Sequence, residues 1–281
     1  MLPNLVIMGG MKCGTTSLHK YLAAHPDVFM SEEKELDFFT SWNRRDRGLA
    51  WYEAQFPVDA PVRGESSPIY TAWPHVLGVP EAIAETLPEV KLIYLVRDPI
   101  DRVVSHYLHL FGRGNETREL AEVVADEDFP ESRYVAQSRY AMQLERYLEI
   151  FDRRDILVIE QEALEHDRAE TLRGVFRFLG VDETFHSPLF HRRYNVARDE
   201  RRSRRATERA RNLVGGDRFD AVAARVPRVA RRALDRSLRQ RIAPPSLSQA
   251  DHERLVRMLE PDTARLVELT GLRPAGWSTW Q

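Results

Sequence analysis

The sequence predicts an α/β fold with a central parallel sheet flanked by helices and a helical C-terminal part. Three observations predict it. Leu5 to Met8 is a short apolar run that passes through glycines into a helical pattern of Leu18, Tyr21 and Leu22, which reads as strand, loop and helix. Lys91–Val96 and Ile156–Ile159 are almost wholly apolar runs, as strands covered on both faces are. Helical stretches alternate with these strands at the spacing of parallel crossovers.

The first element carries the most chemistry. Gly9, Gly10 and Gly14 surround Lys12, and Thr15, Thr16 and Ser17 follow. Loop amides and the first N–H groups of a helix converge on one point, and the helix dipole makes that point positive. Lys12 adds a full charge and the hydroxyls add neutral donors, so Lys12, Cys13, Gly14, Thr15, Thr16 and Ser17 form a candidate phosphate site. A bare strand-to-helix turn would need none of these groups. The order differs from a Walker A loop, which places Gly-Lys-Ser/Thr after four free residues; here Lys12 comes two residues before Gly14.

Pro26 stops the first helix. The segment Ser31 to Phe39 is acidic, then aromatic. Glu35 in it has two readings. It is a solvated loop carboxylate, or a general base whose proton affinity is raised by Phe38 and Phe39. Gly48–Phe56 reads as a short amphipathic helix, Val62–Ser67 as a weak strand ended by Pro68, and Glu81–Leu87 as a helix. Arg97-Asp98-Pro99 closes the strongest strand, with Asp98 as helix cap and Pro99 in the first turn. Arg97 leaves that strand at its carboxyl end, and Ser105 lies two turns into the next helix. Both are placed to face the crevice where open α/β sheets bind ligands. The alternative for Arg97-Asp98 is a local ion pair of little worth.

Arg118 to Arg133 looks like a charged surface excursion. Gln137–Phe151 and Ala169–Leu179 read as helices, the second ended by Gly180. From His191 to Arg241 arginine dominates. Three readings stay open there: an exposed salt-bridged helix, arginines (Arg198 to Arg205) that close over an anionic ligand, or a helix (Val222 to Leu238) lying on a partner or membrane surface. Ala243 to Ser246 is a linker, and Ser248 caps a final helix that ends at Gly271. The 281 residues are read as one domain with 192–245 an arginine-rich helical insertion or cap.

Composition bounds the function. The apolar fraction is 43% and the net charge −2, which gives no bulk electrostatic case for nucleic acid. Cys13 is the single cysteine, which excludes an internal disulfide framework and a structural zinc cluster. No apolar run approaches the length of a membrane span, and Leu2 to Met8 is too short for a signal peptide. The expectation is a soluble, cytoplasmic protein without a transmembrane segment, and a homodimer is compatible with it.

Taken together, the loop, the Arg97 strand exit and the C-terminal pattern resemble the sulfotransferases that use 3′-phosphoadenosine 5′-phosphosulfate (PAPS). The likeness is greatest to the branch of the heparan sulfate N- and O-sulfotransferase domains and their bacterial relatives. Lys12-Cys-Gly-Thr-Thr-Ser-Leu resembles that family's Lys-x-Gly-Thr-Thr loop, and His25-Pro-Asp27 a following His-Pro-Asp. Glu33-Lys-Glu-Leu-Asp-Phe-Phe39 is similar to its Glu-x-x-Phe-Phe segment, and Leu95 to Ser105 to its 3′-phosphate segment. Gly48-Leu-Ala-Trp-Tyr, Phe56-Pro57, Ser138-Arg-Tyr140, Phe178-Leu-Gly180 and Leu269 to Trp277 extend the match over nearly the whole chain.

The resemblance implies a P-loop-like fold and sulfuryl transfer from PAPS, leaving 3′-phosphoadenosine 5′-phosphate (PAP), without a required metal. It implies that Lys12 and its loop hold the 5′-phosphosulfate, that Arg97 and Ser105 hold the 3′-phosphate, that Glu35 is the base, and that His109 lies near the acceptor. Arg198 and Arg204 would stand in for a covering Lys-Gly-Phe loop that this chain lacks. Glu65-Ser-Ser-Pro68 stands where relatives often have Glu-Lys, which argues against a highly anionic acceptor. The acceptor is a hydroxyl or amine of a glycan, lipid or small metabolite. The rival readings are a P-loop nucleotide kinase and a non-catalytic nucleotide-binding protein.

Overall fold

The computed structural model describes residues 1–40, 45–192, 194, 201–203, 239–241 and 245–280. Its centre is a five-stranded sheet of β1 (Leu5–Ile7), β2 (Val28–Met30), β3 (Val62–Ser66), β4 (Lys91–Val96) and β5 (Ile156–Glu160). The order across the sheet is β2-β3-β1-β4-β5, and every pairing is parallel. β1 therefore lies in the middle. The chain leaves it for β2 and β3 on one side and then crosses to β4 and β5 on the other. That reversal creates a switch point, where adjacent crossovers part and open a crevice at the carboxyl ends of the strands.

The β1 residues and Leu92 to Val96 of β4 are fully buried. This is why both read as apolar runs without alternation. β2 escaped the sequence reading. It is three residues long, too short to show a period. The helices are α1 (Thr15–Leu22), α2 (Leu49–Glu53), α3 (Val79–Thr86), α4 (Pro99–Arg113), α5 (Leu120–Ala125), α6 (Arg133–Ala136), α7 (Tyr140–Leu148), α8 (Gln161–His166), α9 (Arg168–Leu179) and α10 (Gln249–Thr270). As expected, Asp98 caps α4, its Oδ1 accepting from the amides of Ile100 and Asp101 at 2.8 and 3.0 Å. Ser248 caps α10, and Gly114, Gly180 and Gly271 end their helices in the left-handed region.

Two expectations change. Residues 118–133 are a packed second lobe and not a surface excursion: Leu120, Val123, Val124 and Phe129 are buried with Val103, Tyr107 and Phe111 of α4 and with Leu255 and Leu259 of α10. The charges flanking these apolar residues hid a buried face three to four residues in period. The arginine-rich part expected to be helical contains, where described, an antiparallel ribbon of β6 (Arg201–Ser203) and β7 (Arg239–Arg241). Ladder hydrogen bonds between the two ends of the segment satisfy its backbone there. Apart from His191, Arg192 and Tyr194, the remainder of that segment lies outside the described residues, and so do Arg198 and Arg204. Within the described residues, no helix is long and apolar enough to cross a membrane.

Candidate active site

All five strands deliver residues to one cavity of about 810 Å³ at their carboxyl ends, inside the size range of small-molecule sites. Met11, Lys12, Gly14, Thr15, Thr16 and Ser17 come from the β1 exit, and Glu35 and Asp37 from the β2 exit. Pro68 and Ile69 follow β3, Arg97, Ser105, His109 and Arg113 follow β4, and Gln161, Leu164, Glu165 and Arg168 follow β5.

The glycine loop is built for close approach. A Cβ on Gly9 would lie 2.7 Å from Thr15 Cγ2 and 3.0 Å from Leu95 Cβ, and one on Gly10 would lie 3.0 Å from Cys13 Sγ. Lys12 and Gly14 adopt φ of +77° and +88°. Alternation of left- and right-handed residues turns successive amides toward one concavity, an anion nest. Gly14 is also the N-cap of α1, whose first turn carries no acidic residue. The dipole of α1 is therefore not offset at the end that faces the cavity.

Cys13 departs from its neighbours. Its side chain is fully buried, with Sγ 3.5 Å from the Tyr140 hydroxyl, and its amide donates to the Gly10 carbonyl. Burial pushes the thiol up to about 11, so it stays protonated and unreactive. The expectation that Cys13 contacts a ligand is corrected for its side chain: loop curvature turns it into the core while Lys12 and Gly14 face the cavity.

Beneath the loop lies Arg102, also fully buried. It donates to Ser138 Oγ at 2.6 Å and to the Tyr134 carbonyl at 2.5 Å, and contacts His106 Nδ1 at 3.3 Å. None of these partners is an acid. Arg97 leaves β4 with its side chain 19% exposed and its Nη2 2.8 Å from Asp101 Oδ2, one turn along. Ser105, His109 and Arg113 stand at four-residue intervals on α4, so one helix face lines the cavity. Sequence reasoning singled out the first two, and the same spacing would have found Arg113.

Glu35 reaches the cavity from the loop after β2. Its amide donates to the Ser66 carbonyl at 3.1 Å, and Lys34 Nζ lies 2.9 Å from Oε1. The apolar enclosure expected around it is not found. Its side chain is 55% exposed, while Phe38 and Phe39 turn into the core and Phe38 stacks on Tyr52 at 4.2 Å. Sequence reasoning also passed over Asp37, which lines the cavity at φ +52°.

The buried carboxylate of the region is Glu65, with no exposed surface. It accepts from the hydroxyls of Tyr52 (2.6 Å), Tyr70 (3.0 Å) and Ser67 (2.6 Å). Burial outweighs these donors and pushes its carboxyl from 4.5 up to about 7. Tyr21 and Tyr194 also line the cavity; Tyr21 donates to the Arg192 carbonyl at 2.5 Å, and Lys20 lies over the Tyr194 ring.

The glycine loop, the parallel sheet and the cavity belong to a pattern that comparison resolves. Residues 2–219 match the family model described as the sulfotransferase domain. The chain belongs to the sulfotransferase domain family. Among curated relatives, human bifunctional heparan sulfate N-deacetylase/N-sulfotransferase 3 is 31% identical over 199 residues, which covers 64% of this chain and 22% of the relative. The corresponding protein 1 of Caenorhabditis elegans is 26% identical over 195 residues, covering 65% and 22%. This sulfotransferase domain thus spans about a fifth of the length of those relatives. The crystal structure of a sulfotransferase from Alicyclobacillus acidocaldarius superposes with a TM-score of 0.71 at 24% identity, covering 99% of each chain. It supports the same fold, a P-loop-like parallel sheet with flanking helices.

Proposed function

We propose that this chain transfers the sulfuryl group of PAPS to a hydroxyl or amine of an acceptor. The observation that carries the reading is the arrangement of charge in the one cavity. Lys12 with the α1 N-terminus and Arg97 with Ser105 form two cationic stations on the neighbouring strands β1 and β4, and Glu35 stands across β1 on the β2–β3 side. Two stations fit a nucleotide with phosphates at both ends of an adenosine. The absent Cβ atoms of Gly9 and Gly10 and the nest at Lys12 and Gly14 supply the cradle that a tetrahedral anion needs.

When bound, PAPS supplies the sulfuryl group and a phosphate leaving group. The residues of the chain do the rest. Lys12 and the loop amides stabilise negative charge at the 5′ end. Arg97 exchanges its exposed Asp101 partner for the 3′-phosphate, a worthwhile exchange because the present pair is screened by solvent. Glu35 takes the acceptor's proton, and its half-exposed position at the cavity mouth leaves the acceptor room to enter. His109, on the α4 face beside Ser105, orients the acceptor. Positioning and charge stabilisation dominate such in-line displacements.

The curated relatives are named for heparan sulfate N-sulfation. Two features favour a less anionic acceptor here. Ser66, fully buried, stands where a basic residue is common in the resembling branch, and Glu35 and Asp37 line the cavity on the side of β2 and β3. A glycan, lipid or small metabolite carrying a neutral hydroxyl or an amine fits that wall. Calorimetric titration with PAP and with ATP tests the cofactor, and tight binding of PAP with weak binding of ATP is expected. A panel of hydroxyl and amine acceptors with labelled PAPS tests the transfer. ATP binding as tight as PAP, or no label transferred to any acceptor, would count against the reading.

A further inference from the structure

We propose that Glu65 is a positioning residue for the Glu35 loop: it fixes the side chains of Tyr52, Ser67 and Tyr70, two of which hold the amides of residues 37 and 39 through their hydroxyls while the Tyr52 ring packs on Phe38. This rests on the reading of Glu35 as the acceptor's base. Glu65 is next to last in β3, paired in register with Val6 of β1, and wholly buried. Each hydroxyl has one proton. Tyr52 and Tyr70 spend theirs on Glu65 Oε1 and Ser67 spends its own on Oε2. Their remaining lone pairs then face outward as acceptors.

Each of these three groups meets the loop. Ser67 Oγ accepts from the Asp37 amide at 3.0 Å. The Tyr70 hydroxyl accepts from the Phe39 amide at 3.4 Å. The Tyr52 ring lies flat on Phe38, 4.2 Å between centroids and 5° between planes. Glu35 itself is tied by its amide to the Ser66 carbonyl, one residue along β3. The loop needs such ties. Glu35 and Asp37 have φ of +66° and +52°, a region that non-glycine residues seldom occupy unless the surroundings over-determine it.

Only an ionised carboxylate presents acceptors to all three hydroxyls. A protonated acid or an amide presents a donor on one side, and a hydroxyl there must turn its proton elsewhere. The titratable groups that face Glu65 include Tyr52 from α2, Tyr70 from the turn after β3, Asp37 from the loop and Tyr147 from α7. Its ionisation near pH 7 therefore couples the loop's hold on Glu35 to pH.

The test uses the full chain with Glu65→Gln and Ser67→Ala. Amide hydrogen exchange reads the ties without any substrate. Glu65→Gln is expected to speed exchange about fivefold, the equivalent of one lost hydrogen bond, at the amide tied through the carboxyl oxygen that the –NH2 replaces, Asp37 through Ser67 on Oε2 or Phe39 through Tyr70 on Oε1. Ser67→Ala does so at Asp37 alone and adds nothing there where Glu65→Gln has already released that amide. With the acceptor found in the panel, Glu65→Gln lowers kcat about 10- to 100-fold, as misplacement of a reacting group does, and leaves PAP affinity unchanged. Wild-type kcat rises with pH through about 7, and the variant lacks that rise. Unchanged exchange at both amides would overturn the proposal, as would a wild-type kcat and pH profile in Glu65→Gln, or a loss of PAP affinity equal to the loss of kcat. If Glu65→Gln does not fold, Ser67→Ala decides by the same readouts. A wild-type chain that transfers sulfuryl to no acceptor refutes the proposed activity, while exchange still decides whether Glu65 holds the loop.

Discussion

Gly9→Ala is the smallest change that should damage the proposed nucleotide cradle. The new methyl carbon would sit 2.7 Å from Thr15 Cγ2, about 0.7 Å short of an ordinary 3.4 Å contact. It is crowded further by Leu95, whose Cβ and amide nitrogen lie at 3.0 and 3.2 Å. Thr15 is buried and β-branched, so its side chain has few rotamers to escape into. The strain must move the start of α1 away from β4. Overpacking of this kind costs about 1–3 kcal/mol, a sizeable share of the roughly 5–15 kcal/mol of a typical domain. The amides of Thr15 and Thr16 move with the helix, and PAP affinity should fall by about tenfold, or 1.4 kcal/mol. Urea unfolding should give a lower midpoint at unchanged m value, and titration calorimetry should give the weaker Kd. Wild-type values in both assays would refute the claim that this glycine is required for close approach.

Four further outcomes are expected. Glu35→Gln should keep PAP affinity and lose about 100- to 10,000-fold in kcat, the range for a general base; a near-normal rate in the acceptor assay would remove Glu35 from that role. Arg97→Ala should weaken PAP binding by at least about tenfold, equivalent to 1.5–3 kcal/mol for a charged hydrogen bond, and leave adenosine 5′-phosphosulfate binding nearly unchanged in competition calorimetry. Asp262 accepts from the amides of Ala141 and Met142, and burial outweighs those donors to push it from 3.8 up to about 6. A raised carboxyl contributes stability that is full below pH 3.8 and lost as pH rises through 6. Urea unfolding across this interval should therefore show wild type losing ground relative to Asp262→Asn by up to about 3 kcal/mol, and parallel curves would contradict the assignment. Gly174 lies within α9, and a methyl added there would meet nothing within 4 Å, so Gly174→Ala should raise stability by about 0.5–1 kcal/mol, read as a higher thermal midpoint.

How far the sequence carried the reading depends on how local each signal was. The β1 loop, the capped α4 start and the apolar β4 were legible because neighbours in sequence produce them. Asp98 caps a helix that begins one residue later. Ser105, His109 and Arg113 share a face by helical spacing alone. What stayed hidden depends on distant partners. Gly-Glu-Ser-Ser at the end of β3 looks polar and exposed, yet Glu65 is buried because hydroxyls from residues 52, 67 and 70 close on it. Asp262 caps α7 from 120 residues away. Phe38 and Phe39 follow Glu35 closely in sequence, which places them beside it only if the chain is extended there. The left-handed turns at Glu35 and Asp37 separate the exposed carboxylate from the buried rings, and nothing in the residue types announces those turns.

The strand order divides labour across the sheet. The proposed nucleotide stations stand on β1 and β4, while the proposed base and the wall around it stand on the exits of β2 and β3. The reaction would occur at the seam between β3 and β1. Such a layout makes the two halves of the site separately variable. Replacement of wall residues such as Pro68 and Ile69, with Glu35 and its ties retained, would change which acceptor is admitted and leave the proposed grip on the nucleotide intact. A lineage, or an engineer, could explore new acceptors on one side of the seam with the donor machinery held constant on the other.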